Sequence, residues 1–468
     1  WQGMHSQPAN TRICQVCPRN EETSVPQFIG RHTIFHGFGR SASETPPDME
    51  PFTWWGSDRF QLPEGTRQTN VRLQAEDGAH SSGILYRRGG EKTAIVFNHP
   101  RADFSSHYLT PFLVAGGYAV YGGQTRYLGN DVNCEHECLC ADLAAQVRYL
   151  RAEGFEKVLF CGNSGGGPLS AFYMAQANTP VGQRLKTTAA GNPYDLNELD
   201  LPCADGFINL AGALSEGELE LANLDPSVID ESDPLSCDPT LDMFNPENGY
   251  RKPPEVSKYS AEFLTRYRAA QIARCQRIDA RAKQEVARKR KYRAMMAEPG
   301  FSDLPLEEQN AITRMAVASN TLVIYRTMAD PALTDLSIHP SNRSIIGLMQ
   351  PDPHVANWSI PGFVQMMTAE GWLSTWSGLS SRVNMHEDVR KITEPVLSIS
   401  FDRDVTILPF VAKGVVENAA SEDKMLVSID ADHFAFRDEG ERDAGIPETA
   451  QVIVEWLRER FPAAGENA

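Results

Sequence analysis

The residues best suited to chemistry stand in one short run, Gly162-Asn163-Ser164-Gly165-Gly166, a G-x-S-x-G pattern. On a tight turn between a strand and a helix, such a serine projects its hydroxyl above the sheet, and only small neighbours fit around it. The run follows the strand-like segment KVLFC and precedes the helical pattern GPLSAFYMAQA, which is the context the motif needs. That context favours a nucleophile at Ser164 over a glycine loop that cradles phosphate.

A serine hydroxyl needs a base, and His433 follows the strand-like MLVSI just before the last helical stretch. The base in turn needs a carboxylate to fix its tautomer and stabilise the imidazolium. Asp402 and Asp404 compete for this after the strand-like PVLSIS; Asp404 is preferred because it reaches further beyond the strand end, with Asp402 in reserve. Asp432 adjoins the base too closely in sequence to reach its ring, and Glu216 is a further option after GFINLAG. The oxyanion requires N–H donors. The amide of Gly165 is one, and since Pro100 has no N–H, the amide of Arg101 is the second candidate in the loop after TAIVFN. Substrate contacts are sought at His99 and His107 beside that loop, at Arg126 after the next strand, and at Trp372 and Trp376 further on.

These residues need a scaffold to bring them together. Strand-like runs at 70–76, 82–87, 93–98, 118–122, 157–161, 206–212, 395–401 and 425–429 alternate with helical patterns, the first two as a hairpin. The alternation predicts a mainly parallel sheet covered on both faces. Between about 213 and 385 it breaks: an acidic, proline-rich stretch leads into a long helical segment over 256–297. A second helix is expected over 305–318, a strand over 321–326 and a helix over 362–373. The expected division is an irregular arm at 1–65, packed through Phe52, Trp54 and Trp55, a sheet domain at 66–214 and 386–468, and an inserted, mostly helical cap at 215–385.

With His99 after the third strand, GNSGGG after the fifth, Asp404 after the seventh and His433 after the last, the chain resembles the α/β-hydrolase superfamily over roughly 70–214 and 386–462. The resemblance implies a twisted, mainly parallel sheet flanked by helices with the cap entering after the sixth strand. It also implies Ser164 as nucleophile, His433 as base, Asp404 as acid and the Gly165 and Arg101 amides as oxyanion donors. His-Pro stands where the superfamily has His-Gly in the oxyanion loop, and the insertion exceeds a minimal lid.

Composition narrows the partners. Lys and Arg number 44 against 61 Asp and Glu, a formal charge of −17, which repels nucleic acid and anionic membranes. The basic run Arg288–Arg293 is read as a solvated helix face or a subunit contact, which leaves a homodimer open. No apolar run is long enough to span a bilayer, and the N-terminal twenty residues lack the apolar core of a signal peptide. Nine irregularly spaced cysteines fit reduced thiols and a cytoplasmic location. Neither Cys14-x-x-Cys17 nor the cluster Cys134, His136, Cys138, Cys140 has convincing zinc-site spacing, so no metal or organic cofactor is expected. The expected activity is hydrolysis of a medium-sized hydrophobic ester or lactone, with C–C, thioester or amide cleavage by the same triad as the alternative; a non-catalytic binding protein that has kept the fold is the third reading, against which the intact Ser164, Asp404 and His433 argue.

Overall fold

The structure is a computed structural model that describes residues 60–130, 132–345, 357–358, 364–437 and 444–464. The arm with Phe52, Trp54 and Trp55, the pair Cys14 and Cys17, and 362–363 of the helix expected at 362–373 lie outside the described residues.

Eight strands form one sheet. β1 (Arg67–Gln74) and β2 (His80–Arg87) make the expected hairpin at one edge. β3 (Thr93–Asn98), β4 (Ala119–Gln124), β5 (Lys157–Asn163) and β6 (Gly206–Leu210) follow. After an excursion, the chain returns with β11 (Val396–Phe401) and β12 (Lys424–Ile429). The spatial order is β1-β2-β4-β3-β5-β6-β11-β12, and every pairing from β4 to β12 is parallel. Parallel strands need helical crossovers, which cover both faces and bury the central strands, whereas the edge strand β12 is largely exposed. All six residues of β3 are accordingly buried.

One face packs on α2 (His136–Ala152), α3 (Gly166–Asn178) and α7 (Phe410–Asn418), through Leu143, Val147, Phe172 and Val415. The other packs on α1 (Thr110–Ala115) and α8 (Gly445–Arg458), through Leu113, Ile453 and Leu457.

Between β6 and β11 lie α4 (Glu216–Asn223), a two-stranded ribbon of β7 (Val228–Asp230) and β8 (Asp233–Cys237), α5 (Ala261–Ala297) and α6 (Leu306–Val317). Ser215 caps α4 by accepting the Glu218 amide, and Ser260 caps α5 by accepting that of Phe263. The strand expected at 321–326 shrinks to β9 (Leu322–Val323), paired with β10 (Met366–Met367). The helix expected at 362–373 is corrected as well: Met366–Met367 is extended, and a short helix at Ala369–Gly371 opens into a π-turn at Trp372–Trp376. Within the basic run, Lys289 pairs with Glu370 at 2.9 Å and Arg288 with Glu285 at 2.9 Å, so part of its charge is neutralised internally. Among the described residues no helix is long and apolar enough to cross a membrane, and no cluster of metal-binding side chains occurs.

Candidate active site

Ser164 sits on the turn between β5 and α3 with φ of 54°, a left-handed conformation that costs a residue with a Cβ. The turn is held from several sides. The Ser164 amide donates to the Leu210 carbonyl (3.2 Å), and the Ser164 carbonyl accepts from Gly167 and Ala213 (both 3.1 Å). The glycines around it are sterically required. A Cβ on Gly166 would lie 1.9 Å from the Asn98 carbonyl oxygen at the end of β3, and one on Gly162 would lie 2.4 Å from the Gly166 carbonyl oxygen.

His433 follows the edge strand β12, three places along the sheet from β5. Its Nε2 lies 3.1 Å from Ser164 Oγ, and its Nδ1 lies 2.6 Å from Asp404 Oδ2. With a carboxylate at Nδ1, that nitrogen carries the proton and Nε2 is left to accept from the serine hydroxyl. Asp404 follows β11 and is fully buried; its Oδ1 accepts the amides of Thr406 and Ile407, each at 2.8 Å. Burial pulls the His433 pKa down, but the charge of Asp404 and its hydrogen bond outweigh this and hold it above the ordinary 6.5. The other two aspartates point elsewhere. Asp402 bonds the Ser428 hydroxyl. Asp432 accepts the amides of Phe434 and Phe436, both at 2.9 Å, and so shapes the loop that carries the imidazole.

The strand order and the residues at the strand ends now stand together: Ser164 on the turn after the central strand β5, Asp404 after β11 and His433 after β12, in the chain order Ser, Asp, His. This is the α/β-hydrolase fold. No protein-family profile matches the chain and no curated protein matches it. Solved structures do align with it. An esterase from Pyrococcus furiosus shares 13% identity, with 88% of this chain and 95% of that chain covered, at a TM-score of 0.40. The esterase domain of a Rhodothermus marinus protein shares 13%, covering 84% and 98%, at 0.39. A monoacylglycerol lipase from Paleococcus ferrophilus shares 14%, covering 84% and 99%, at 0.37.

In this hydrolase fold the loop after β3 faces the elbow, and here one expectation is corrected. The Arg101 amide does not point at the space above Ser164. It donates to His99 Nδ1 at 3.2 Å, as does the amide of Ala102 at 2.9 Å. The loop is fixed in that pose because the Thr125 hydroxyl donates to the Pro100 carbonyl (2.6 Å) and the Gly129 amide to the Arg101 carbonyl (2.8 Å). The Arg101 side chain meets Glu216 Oε1 at 2.6 Å and stacks its guanidinium 4.4 Å from the centre of the Trp376 ring. Glu216 belongs to the first turn of α4 and is 2% exposed; its Oε1 would lie 2.2 Å from a Cβ on Gly165. The sequence marks Glu216 only as an alternative acid, and its pairing with Arg101 across 115 residues has no local signal.

Of the expected substrate contacts, His99 lies in this neighbourhood, and four others are corrected. Trp376, beneath the Arg101 guanidinium, is fully buried in the same core as Trp372. His107 is fully buried, stacked on Phe97 at 3.9 Å, with Nε2 3.2 Å from Asn163 Oδ1, so it braces the residue before Ser164 from within the core. Arg126 is clamped by Asp142 (2.7 Å) and Asp77 (2.5 Å). Trp372 is buried in the core of the insertion and donates its indole N–H to Asp279 at 2.7 Å. His136, at the start of α2, is fully buried, and among the described residues neither ring nitrogen has a hydrogen-bond partner; burial and the charge of Arg101 push its pKa down to about 3, so it is neutral.

Proposed function

We propose that the protein is a serine hydrolase that cleaves a carboxylic ester or lactone through an acyl-enzyme. The observation that carries this reading is the buried hydrogen-bonded chain from Asp404 through His433 to Ser164. Ser164 Oγ attacks the carbonyl carbon as His433 Nε2 takes its proton. Asp404 stabilises the imidazolium without becoming protonated. The tetrahedral intermediate collapses when His433 returns the proton to the leaving alcohol oxygen. Water, deprotonated by the same nitrogen, then attacks the acyl-enzyme and frees Ser164. The amide of Gly165, next after the nucleophile, donates to the oxyanion.

The substrate class proposed is a medium-sized hydrophobic ester or lactone, a reading supported by the apolar and aromatic residues of the segment between β6 and β11. The test is turnover of a panel of p-nitrophenyl esters, lactones, thioesters and anilides by wild type and Ser164→Ala. Loss of the nucleophile should lower kcat by about 10⁴-fold or more on whichever class wild type accepts. Equal turnover by both proteins would remove Ser164 from the mechanism. Preference for thioesters or anilides would move the bond type while keeping the residues.

A further inference from the structure

An oxyanion hole needs at least two donors, and the loop after β3 does not offer its second amide in the usual way. Pro100 has no N–H, and the amides of Arg101 and Ala102 are both spent on one acceptor, the Nδ1 of His99. That arrangement has a consequence for the other side of the ring. A neutral imidazole has one N–H and one lone pair, so with Nδ1 receiving two donors, the proton must sit on Nε2. The ring stays neutral because burial, with the positive charge of Arg101 beside it, pushes its pKa well below 6.5. His99 Nε2 lies 2.8 Å from where a Cβ on Gly165 would be, directly against the residue whose amide is the first donor. No protein acceptor takes the Nε2–H among the hydrogen bonds of the described residues.

We infer that the Nε2–H of His99 is the second oxyanion donor, a side-chain N–H standing in for the loop amide. The inference rests on Ser164 being the nucleophile, as proposed above. The loop that would otherwise supply the donor acts as the support: its two amides fix the tautomer, and the Arg101–Glu216 pair at 2.6 Å holds Arg101 in the pose that keeps its amide on the ring. The donor is thus pre-oriented before charge develops on the carbonyl oxygen, and a buried dipole of this kind needs no reorganisation during reaction.

Two substitutions separate a donor from a prop. In His99→Asn, Oδ1 overlies the former Nδ1 and can accept the loop amides, but nothing stands at Nε2. In His99→Gln, an amide N–H overlies Nε2, while the Nδ1 acceptor is lost. Both variants, wild type and Ser164→Ala are compared for the rate of labelling by an alkyl fluorophosphonate and for kcat and KM on the best ester. A donor role predicts that His99→Asn loses about 10²-fold or more in kcat and in labelling with KM little changed, and that His99→Gln recovers at least about tenfold of that loss. The opposite ranking, or equal behaviour of the two variants, overturns the inference and makes His99 a loop prop. Failure of wild type to be labelled at Ser164 overturns the nucleophile itself, an outcome distinct from labelling of wild type and His99→Asn at the same rate.

Discussion

Replacing Asp404 by Asn tests the core of the reading, because the structure dictates which way the new amide must face. Asp404 Oδ1 accepts two backbone amides at 2.8 Å each, and only the carbonyl oxygen of Asn can take that place. The NH₂ group is then forced to the Oδ2 position, 2.6 Å from His433 Nδ1. A donor there demands the lone pair on Nδ1, which moves the ring proton to Nε2, the atom that must accept the proton of Ser164. The productive tautomer becomes the disfavoured one. The expected loss is about 10⁴-fold in kcat, equivalent to about 5 kcal/mol of barrier. The pH dependence should move as well. In wild type the rate should climb with pH through a His433 pKa held above 6.5, since only the neutral ring acts as base. Without the carboxylate the effect of burial is left uncompensated, so the acidic limb of the variant should shift to lower pH while its plateau falls. The same coupling stabilises the fold below pH 6.5 and fades as pH rises through the folded pKa. The assay is kcat/KM for a p-nitrophenyl ester across about pH 5 to 9. A loss below tenfold, or a limb that stays in place, would refute the argument.

Two further perturbations probe what positions the site. Gly166→Ala drives a methyl to 1.9 Å from a backbone oxygen of β3, which cannot swing aside, so a loss of about 3 kcal/mol or more is expected in urea denaturation; an unchanged midpoint would contradict the close approach of β3 to the elbow. His107 has a folded pKa of about 3 against an ordinary 6.5, so between these values the unfolded chain binds a proton that the folded chain refuses. Stability should therefore fall with falling pH by about 2 kcal/mol per such group at pH 5, and His107→Gln, which keeps an N–H towards Asn163, should flatten the drop in urea midpoint between about pH 7 and 5. The same slope in both proteins would show that the buried ring does not titrate as argued.

The strand hairpin, the parallel run and the serine elbow are all legible in the chain, because each is written in a few adjacent residues. VLFC (158–161) is apolar at every position as a strand buried on both faces must be, and glycines surround Ser164 where a Cβ would collide. Asp404 and His433 could be singled out by their places just after strands. The long helix α5 is legible from its lack of Gly and Pro, whereas the stretch expected as a helix at 362–373 forms, within its described residues, a short strand at Met366–Met367, one helical turn at Ala369–Gly371 and the start of a π-turn at Trp372.

What lies beyond local reading is partnership. Arg126 at a strand end and Trp372 late in the insertion have the residue types of a binding site. Their partners, Asp77, Asp142 and Asp279, come from distant segments and bind them into the framework. The Arg101 amide sits at the right distance along the chain from β3 to serve an oxyanion, but the ring of His99 captures it, and Glu216 holds its side chain from 115 residues away. The sequence by itself determined which backbone turns can form and which side chains could react, since those depend on φ, volume and periodicity over a few residues. Only the tertiary structure decided which groups face each other, because each hydrogen bond here has one geometry and the sheet order sets which distant segments reach it.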